Sequence, residues 1–138
     1  MDAEGLAGAL RELIASWQQR EAGIDFRLEI PARLPTMKEE QALVLYRVVQ
    51  EALTNVVRHS EARHCTVRIQ PRDGVLHLQI DDDGKGLPAA GEIRRGGLLG
   101  IEERLEMVSG RLELQTGQPA GLHLRIALPL NEAQEEKA

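Results

Sequence analysis

The chain has 138 residues, one cysteine and a formal net charge of −5 at pH 7, with 42% apolar and only 2% aromatic residues. That length fits one domain with a two-layer core, and the acidic balance with few aromatics excludes direct nucleic-acid binding by counterion release or base stacking. A lone Cys65 excludes an internal disulfide and fits a reducing compartment, and neither a bilayer-length apolar run nor a signal-peptide pattern is present.

Taken in chain order, Leu6, Leu10, Leu13, Ile14 and Trp17 recur at helical spacing and predict an amphipathic helix over 6–20. Ile24, Phe26, Leu28 and Ile30 alternate with charged residues, which predicts a half-buried strand ended by Pro31 and Pro35. A long helix is expected from about Glu39 to His59, with Leu45, Val48, Val49, Ala52, Leu53 and Val56 on its apolar face. Cys65, Val67 and Ile69 form a strand pattern, with Cys65 read as core. Asp73-Gly74 marks a hairpin turn into Leu76, Leu78 and Ile80. Residues 87–96 form a Pro- and Gly-containing connection. A second helix over about Leu98–Ser109 follows, with Gly110 as its C′ residue. Strands near 111–116 and 122–128 complete the pattern, and residues 131–138 form a polar tail. Hairpins with two inserted helices predict an α/β (α+β) two-layer sandwich, a mixed sheet with helices on one face.

The chemistry concentrates in three segments. Glu51 and Asn55 lie at i and i+4, so they share a helix face, and Arg58 follows three residues on along the polar stripe. An amide oxygen suits Mg²⁺, and a carboxylate can hold a metal-bound water or accept a proton. Asp82-x-Gly84-x-Gly86 sits where a strand would end, so Asp82 can accept from an adenine amino group while the glycines allow close backbone approach. Gly97-x-x-Gly100 opens a helix whose free N–H groups can face phosphate, with Arg94 and Arg95 just before it. Competing motifs fail on spacing. An EF-hand register puts Gln79 and Ala90 at its first and last ligand positions, a dinucleotide fingerprint puts Ala89 at its last glycine, and a Walker loop puts Gly97 at its lysine. The histidines His59, His64, His77 and His123 show no ligand spacing, and His77 and His123 are expected to be exposed.

The segment from Tyr46 through Gln50-Glu51-Ala52-Leu53-Thr54-Asn55 to Ser60 resembles the N box of sensor histidine kinases, and is most similar to the NarX-type subfamily. Asp82-Asp83-Gly84-Lys85-Gly86 resembles the G1 box, and Gly97-Leu98-Leu99-Gly100-Ile101-Glu102-Glu103-Arg104 the G2 region. The resemblance covers about residues 24–130. It implies a Bergerat ATP-binding fold with ATP and Mg²⁺ as cofactors. It implies Glu51 as the catalytic acidic residue, Asn55 as metal ligand and Asp82 at the adenine. Arg58, His59, Gly84, Gly86, Gly97, Leu98 and Gly100 would surround the nucleotide, and 87–96 would be the ATP lid.

Two departures stand out. Gly121-Leu122 replaces the Gly-Thr often found before the last strand, and no histidine precedes His59 to act as phosphoacceptor. Residues 1–20 are therefore expected to be the remnant of a dimerisation helix, with Leu10, Leu13 and Trp17 exposed. Residues 21–130 would be the catalytic domain and 131–138 a tail. The expected partners are the dimerisation and phosphoacceptor domain of the same kinase and a response regulator with LuxR-type output. The piece itself is expected to be monomeric and cytoplasmic, within a parent that is cytoplasmic or anchored in the inner membrane. A stand-alone serine kinase of the anti-sigma-factor type and a non-catalytic nucleotide sensor remain as alternatives.

Overall fold

The computed structural model describes residues 1–85, 99–116 and 121–130. The chain order is α1 (Ala3–Arg20), β1 (Asp25–Glu29), α2 (Glu39–Asn55), a π-helical turn (Val56–Ser60), β2 (His64–Arg72), β3 (Val75–Asp82), α3 (Leu99–Glu106), β4 (Arg111–Thr116) and β5 (Leu122–Pro129). The five strands form one sheet in the order β1-β2-β3-β5-β4. β1 runs parallel to β2, and the other pairs are antiparallel. The mixed α/β sandwich expected from the sequence is the fold observed.

Alternation along the strands decides which face is buried. Val67 pairs with Ile80, Ile69 with Leu78, Leu78 with Ile126 and Ile80 with Leu124, and all of these are buried on one face. The other face carries Arg68, Gln79, Asp81 and Arg125, none of them buried. A parallel pair needs a crossover, and α2 supplies it between β1 and β2. Its Ala42, Leu45, Val48, Val49, Ala52 and Leu53 recur at helical spacing and are all buried. Leu45 and Leu53 are wholly buried, and each such side chain contributes about 2 kcal/mol by leaving water. The polar Gln41 is buried at the start of α2 but satisfied at both ends. Its Oε1 accepts from the Lys38 N–H at 2.9 Å, and its Nε2 donates to the Pro129 carbonyl at 3.0 Å.

The turns follow backbone chemistry. Asp73 and Gly74 have φ of 57° and 76°, the pair of positive angles that a two-residue type I′ hairpin requires. The end of α3 differs from expectation. Ser109, not Gly110, takes the left-handed conformation, with φ 60°. The Gly110 N–H donates to the Leu105 carbonyl at 2.8 Å and the Ser109 N–H to the Glu106 carbonyl, which is a Schellman cap with Ser109 at C′ and Gly110 at C″. Space at Gly110 is tight instead: a Cβ there would lie 2.9 Å from Leu105 Cδ2, so that side chain would have to shift.

The N-terminal helix also differs. Leu6, Leu10 and Ile14 are buried, and Leu13 and Trp17 are half-buried against the same core. The expected exposure of Leu10, Leu13 and Trp17 is therefore corrected: α2 and β1 offer an apolar surface that α1 covers. Gln18 adds a polar clasp, donating to the Ile24 carbonyl at 2.7 Å and accepting from the Phe26 N–H at 2.8 Å. Those two groups lie on the free edge of β1, so one side chain satisfies an edge that would otherwise be open to pairing. Among the described residues no helix is long and apolar enough to cross a membrane.

Candidate functional site

The long helix predicted over 39–59 is α-helical only as far as Asn55. From Val56 to Ser60 it widens into a π-turn that ends at Glu61, in the left-handed conformation at φ 58°. Such single π-turns are uncommon inside helices and concentrate at functional sites. The wider turn moves Arg58 off the position that continuous α-helical periodicity would give it. Only three residues separate Ser60 from His64 at the start of β2. That link can span at most about 14 Å, so the helix end carrying Asn55 and Arg58 stays near the sheet edge where β2 starts and β3 ends.

Asp82 occupies that edge. It pairs across the ladder with Cys65 and is one of two buried polar residues among the described residues, at 7% exposure. Its Oδ1 accepts from the Gly84 N–H at 2.8 Å and from the Leu122 N–H at 3.4 Å. Burial raises its pKa, and those two amides oppose the shift. Next to it, Gly121 has φ 106°, and a Cβ added there would lie 1.9 Å from the Asp82 carbonyl oxygen. Cys65 is a buried core residue, as expected, and burial pushes its thiol far above the usual range.

Asp83 works differently. Its Oδ1 accepts from the Arg63 and His64 N–H groups at 2.8 and 2.9 Å, and its Oδ2 lies 2.7 Å from His64 Nδ1. Burial alone would raise its pKa, but the His64 ring and these amides outweigh it and lower the value from 3.8 to about 2. Because the folded value lies below the ordinary one, this contribution is full above about pH 4 and is lost as the pH falls towards 2. Asp83→Asn should therefore lower stability at pH 7 and make progressively less difference as the pH is lowered towards 2, as read by urea unfolding across that range. The groups are about half exposed, so screening holds the effect to about 1 kcal/mol or less.

Glu51 makes a contact that sequence reasoning missed. Its Oε1 accepts from Arg104 Nε at 2.7 Å, and its Oε2 lies 2.8 Å from where a Cβ on Gly100 would stand. Oε1 is thus bonded to α3, while Oε2 lies against the Gly100 backbone of the same helix with no bond to it. Asn55 lies one turn further along, half-buried, and its amide makes no hydrogen bond among the described residues. Arg58 is exposed, and only the backbone of His59 is described, within the π-turn. Gly86, Gly97, Leu98 and the expected lid 87–96 lie outside the described residues. The structure thus assembles two groups: Glu51 with Gly100 and Arg104 across α2 and α3, and Asp82 with Gly84, Gly121 and Leu122 at the sheet edge. His77 and His123, both expected to be exposed, are half-buried, and His123 sits 2.7 Å from Asp81 Oδ1 on the polar face of the sheet.

The mixed five-stranded sheet, with α2 crossing between the parallel strands β1 and β2, is the fold of an ATPase domain, as comparison with known proteins shows. Residues 40–132 match the family described as histidine kinase-, DNA gyrase B- and HSP90-like ATPase. The chain belongs to this family, as an ATP-binding domain of the sensor-histidine-kinase type. It is 38% identical over 94 residues to the Bacillus subtilis sensor histidine kinase YxjM, covering 67% of this chain and 22% of that protein. It is 33% identical over 124 residues to the Salmonella typhimurium histidine-protein kinase/phosphatase UhpB, covering 90% of this chain and 24% of that protein. The chain therefore spans about a quarter of the length of these relatives. Among solved structures, the ATP-binding domain of PrrB from Mycobacterium tuberculosis superposes with a TM-score of 0.74 at 19% identity, covering 89% of this chain and 92% of that one. The blue-light activated histidine kinase of Erythrobacter litoralis EL346 gives a TM-score of 0.77 at 18% identity, over 91% of this chain and 42% of that one.

Proposed function

We propose that this domain binds Mg-ATP and presents the γ-phosphoryl group to a histidine on a dimerisation domain outside these 138 residues, for relay to a response regulator. The observation that carries the reading is Asp82. It is a buried carboxylate whose Oδ1 is occupied by two backbone amides, which fixes the plane in which its second oxygen can accept from an adenine amino group. Asn55 would hold Mg²⁺ through its amide oxygen, which no described residue occupies, and the ion would bring charge neutralisation at the phosphates. Among the described residues no three His, Cys, Asp or Glu side chains cluster to hold a metal. That fits an ion bound by one protein oxygen, waters and phosphate, not by a protein cage. Glu51 polarises the incoming imidazole or positions water, while Arg58 and His59 lie towards the phosphates. Gly84, Gly86, Gly97, Leu98 and Gly100 let backbone approach the nucleotide, and 87–96 closes over it. Phosphoryl transfer needs mainly positioning and charge stabilisation, which this set provides.

On this reading residues 1–20 end the second dimerisation helix, packed on the catalytic unit through Gln18. The regulator served is of the LuxR-output type, as the NarX-like N box implies, and the parent kinase acts on the cytoplasmic side.

The test is Asn55→Ala in calorimetric titrations with ATP, in Mg²⁺ and in EDTA. The wild type should bind more tightly with Mg²⁺, and the variant should bind equally in both. A Mg²⁺ effect undiminished in Asn55→Ala would remove Asn55 from the metal site.

A further inference from the structure

The pair between Glu51 and Arg104 joins two helices through residues 53 positions apart in the chain. Arg104 donates from Nε only, and its guanidinium is bonded to no other described residue. Glu51 has both oxygens turned to α3, one on Arg104 and one against Gly100. The glycine explains the approach: any side chain at position 100 would push the carboxylate away. We propose that Arg104 is a positioning residue of the nucleotide site. It acts through Glu51 by holding that carboxylate against α3 and neutralising it, so that a triphosphate can bind one helical turn away at Asn55.

This proposal rests on the ATP reading above. On that reading a bare carboxylate on the Asn55 face of α2 would repel the phosphates. Like charges at a few ångströms in partly desolvated surroundings repel by more than thermal energy. The pair is partly exposed, with side-chain exposures of 43% for Arg104 and 30% for Glu51. Its contribution to folding is therefore small, and its larger effect should be on an anionic ligand. The gain is indirect: Arg104 need not touch phosphate, and its benefit should vanish when Glu51 carries no charge.

That dependence gives the experiment. Mg-ATP and adenosine are titrated into the wild type, Arg104→Met, Glu51→Gln, the double variant Glu51→Gln/Arg104→Met, and Arg104→Lys. Arg104→Met should weaken Mg-ATP binding about tenfold and leave adenosine binding unchanged, since adenosine has no phosphates. The double variant should return to within about threefold of Glu51→Gln, and Arg104→Lys should keep most of the wild-type affinity because it keeps the charge. Full Mg-ATP affinity in Arg104→Met would overturn the proposal. So would a double variant as far below Glu51→Gln as Arg104→Met is below wild type, because Arg104 would then grip phosphate itself. Adenosine binding guards against misfolding, since a variant that no longer folds loses both ligands, and Arg104→Lys then carries the test with a milder change. A wild type that binds neither Mg-ATP nor adenosine overturns the ATP reading itself, and the proposal with it.

Discussion

Asp82→Asn should bind Mg-ATP about a hundredfold more weakly than wild type while folding at least as stably. The substitution keeps size and shape. Its carbonyl oxygen can still accept the Gly84 and Leu122 N–H groups that now hold Oδ1. The amide nitrogen then stands where the second carboxylate oxygen was, and it donates towards an adenine amino group that also donates. Replacing a charged acceptor by a donor loses the hydrogen bond and leaves two buried donors facing each other. That is worth roughly 2.7 kcal/mol, the equivalent of a hundredfold. Stability should move the other way. Asp82 is buried and its pKa is raised, so the native state holds the charged form less readily than the unfolded chain does. The penalty is present above the unfolded carboxylate value and disappears with the charge. Calorimetry with Mg-ATP, paired with a thermal melt, reads both effects. Wild-type affinity in Asp82→Asn would remove the aspartate from the adenine site. A lowered melting temperature would mean that the variant lost the fold, not the contact.

The parts of this molecule that were legible in the sequence are those set by local rules. Alternation placed β2, β3 and β5 and named their buried faces, and Asp73-Gly74 fixed a two-residue turn because few other pairs tolerate two positive φ angles. Asp82 was legible as a carboxylate at a strand end. What escaped was set by distance or by small backbone differences. Apolar periodicity through Val56 and Val57 does not separate an α-turn from a π-turn, so the change after Asn55 was hidden. Ser109 took the left-handed cap position because the helix ran one residue shorter than the glycine implied. The pair of Glu51 with Arg104 has no local sign, since either charge reads equally well as a solvated helix face. The burial of Leu10 depended on a neighbouring apolar surface that α2 and β1 create only when folded.

Gly121→Ala should be the most damaging single methyl group that can be added to the described chain. At φ 106° an L-residue is strained whatever surrounds it, which alone costs about 1–3 kcal/mol. The surroundings make it worse. The new Cβ would stand 1.9 Å from the Asp82 carbonyl oxygen, 2.9 Å from the Asp82 carbonyl carbon and 3.0 Å from Asp83 Cα. These are backbone atoms at and just beyond the end of β3, so relief requires β3 and β5 to part where Asp82 is held. The expected loss is roughly 3–5 kcal/mol, in the range that single substitutions reach only by a named mechanism of this kind. Any folded population should also bind nucleotide poorly, because moving the Asp82 backbone moves its side chain away from the Leu122 amide. Gly8→Ala supplies the control. That glycine lies inside α1 with nothing within 4 Å of an added Cβ. The same chemical change there should stabilise the chain by about 0.5–1 kcal/mol through helix propensity. Urea unfolding of the two variants should therefore shift the midpoint in opposite directions. Equal and small shifts would show that Gly121 is not held against Asp82 in the folded protein, and the account of how this edge positions its carboxylate would fall with it.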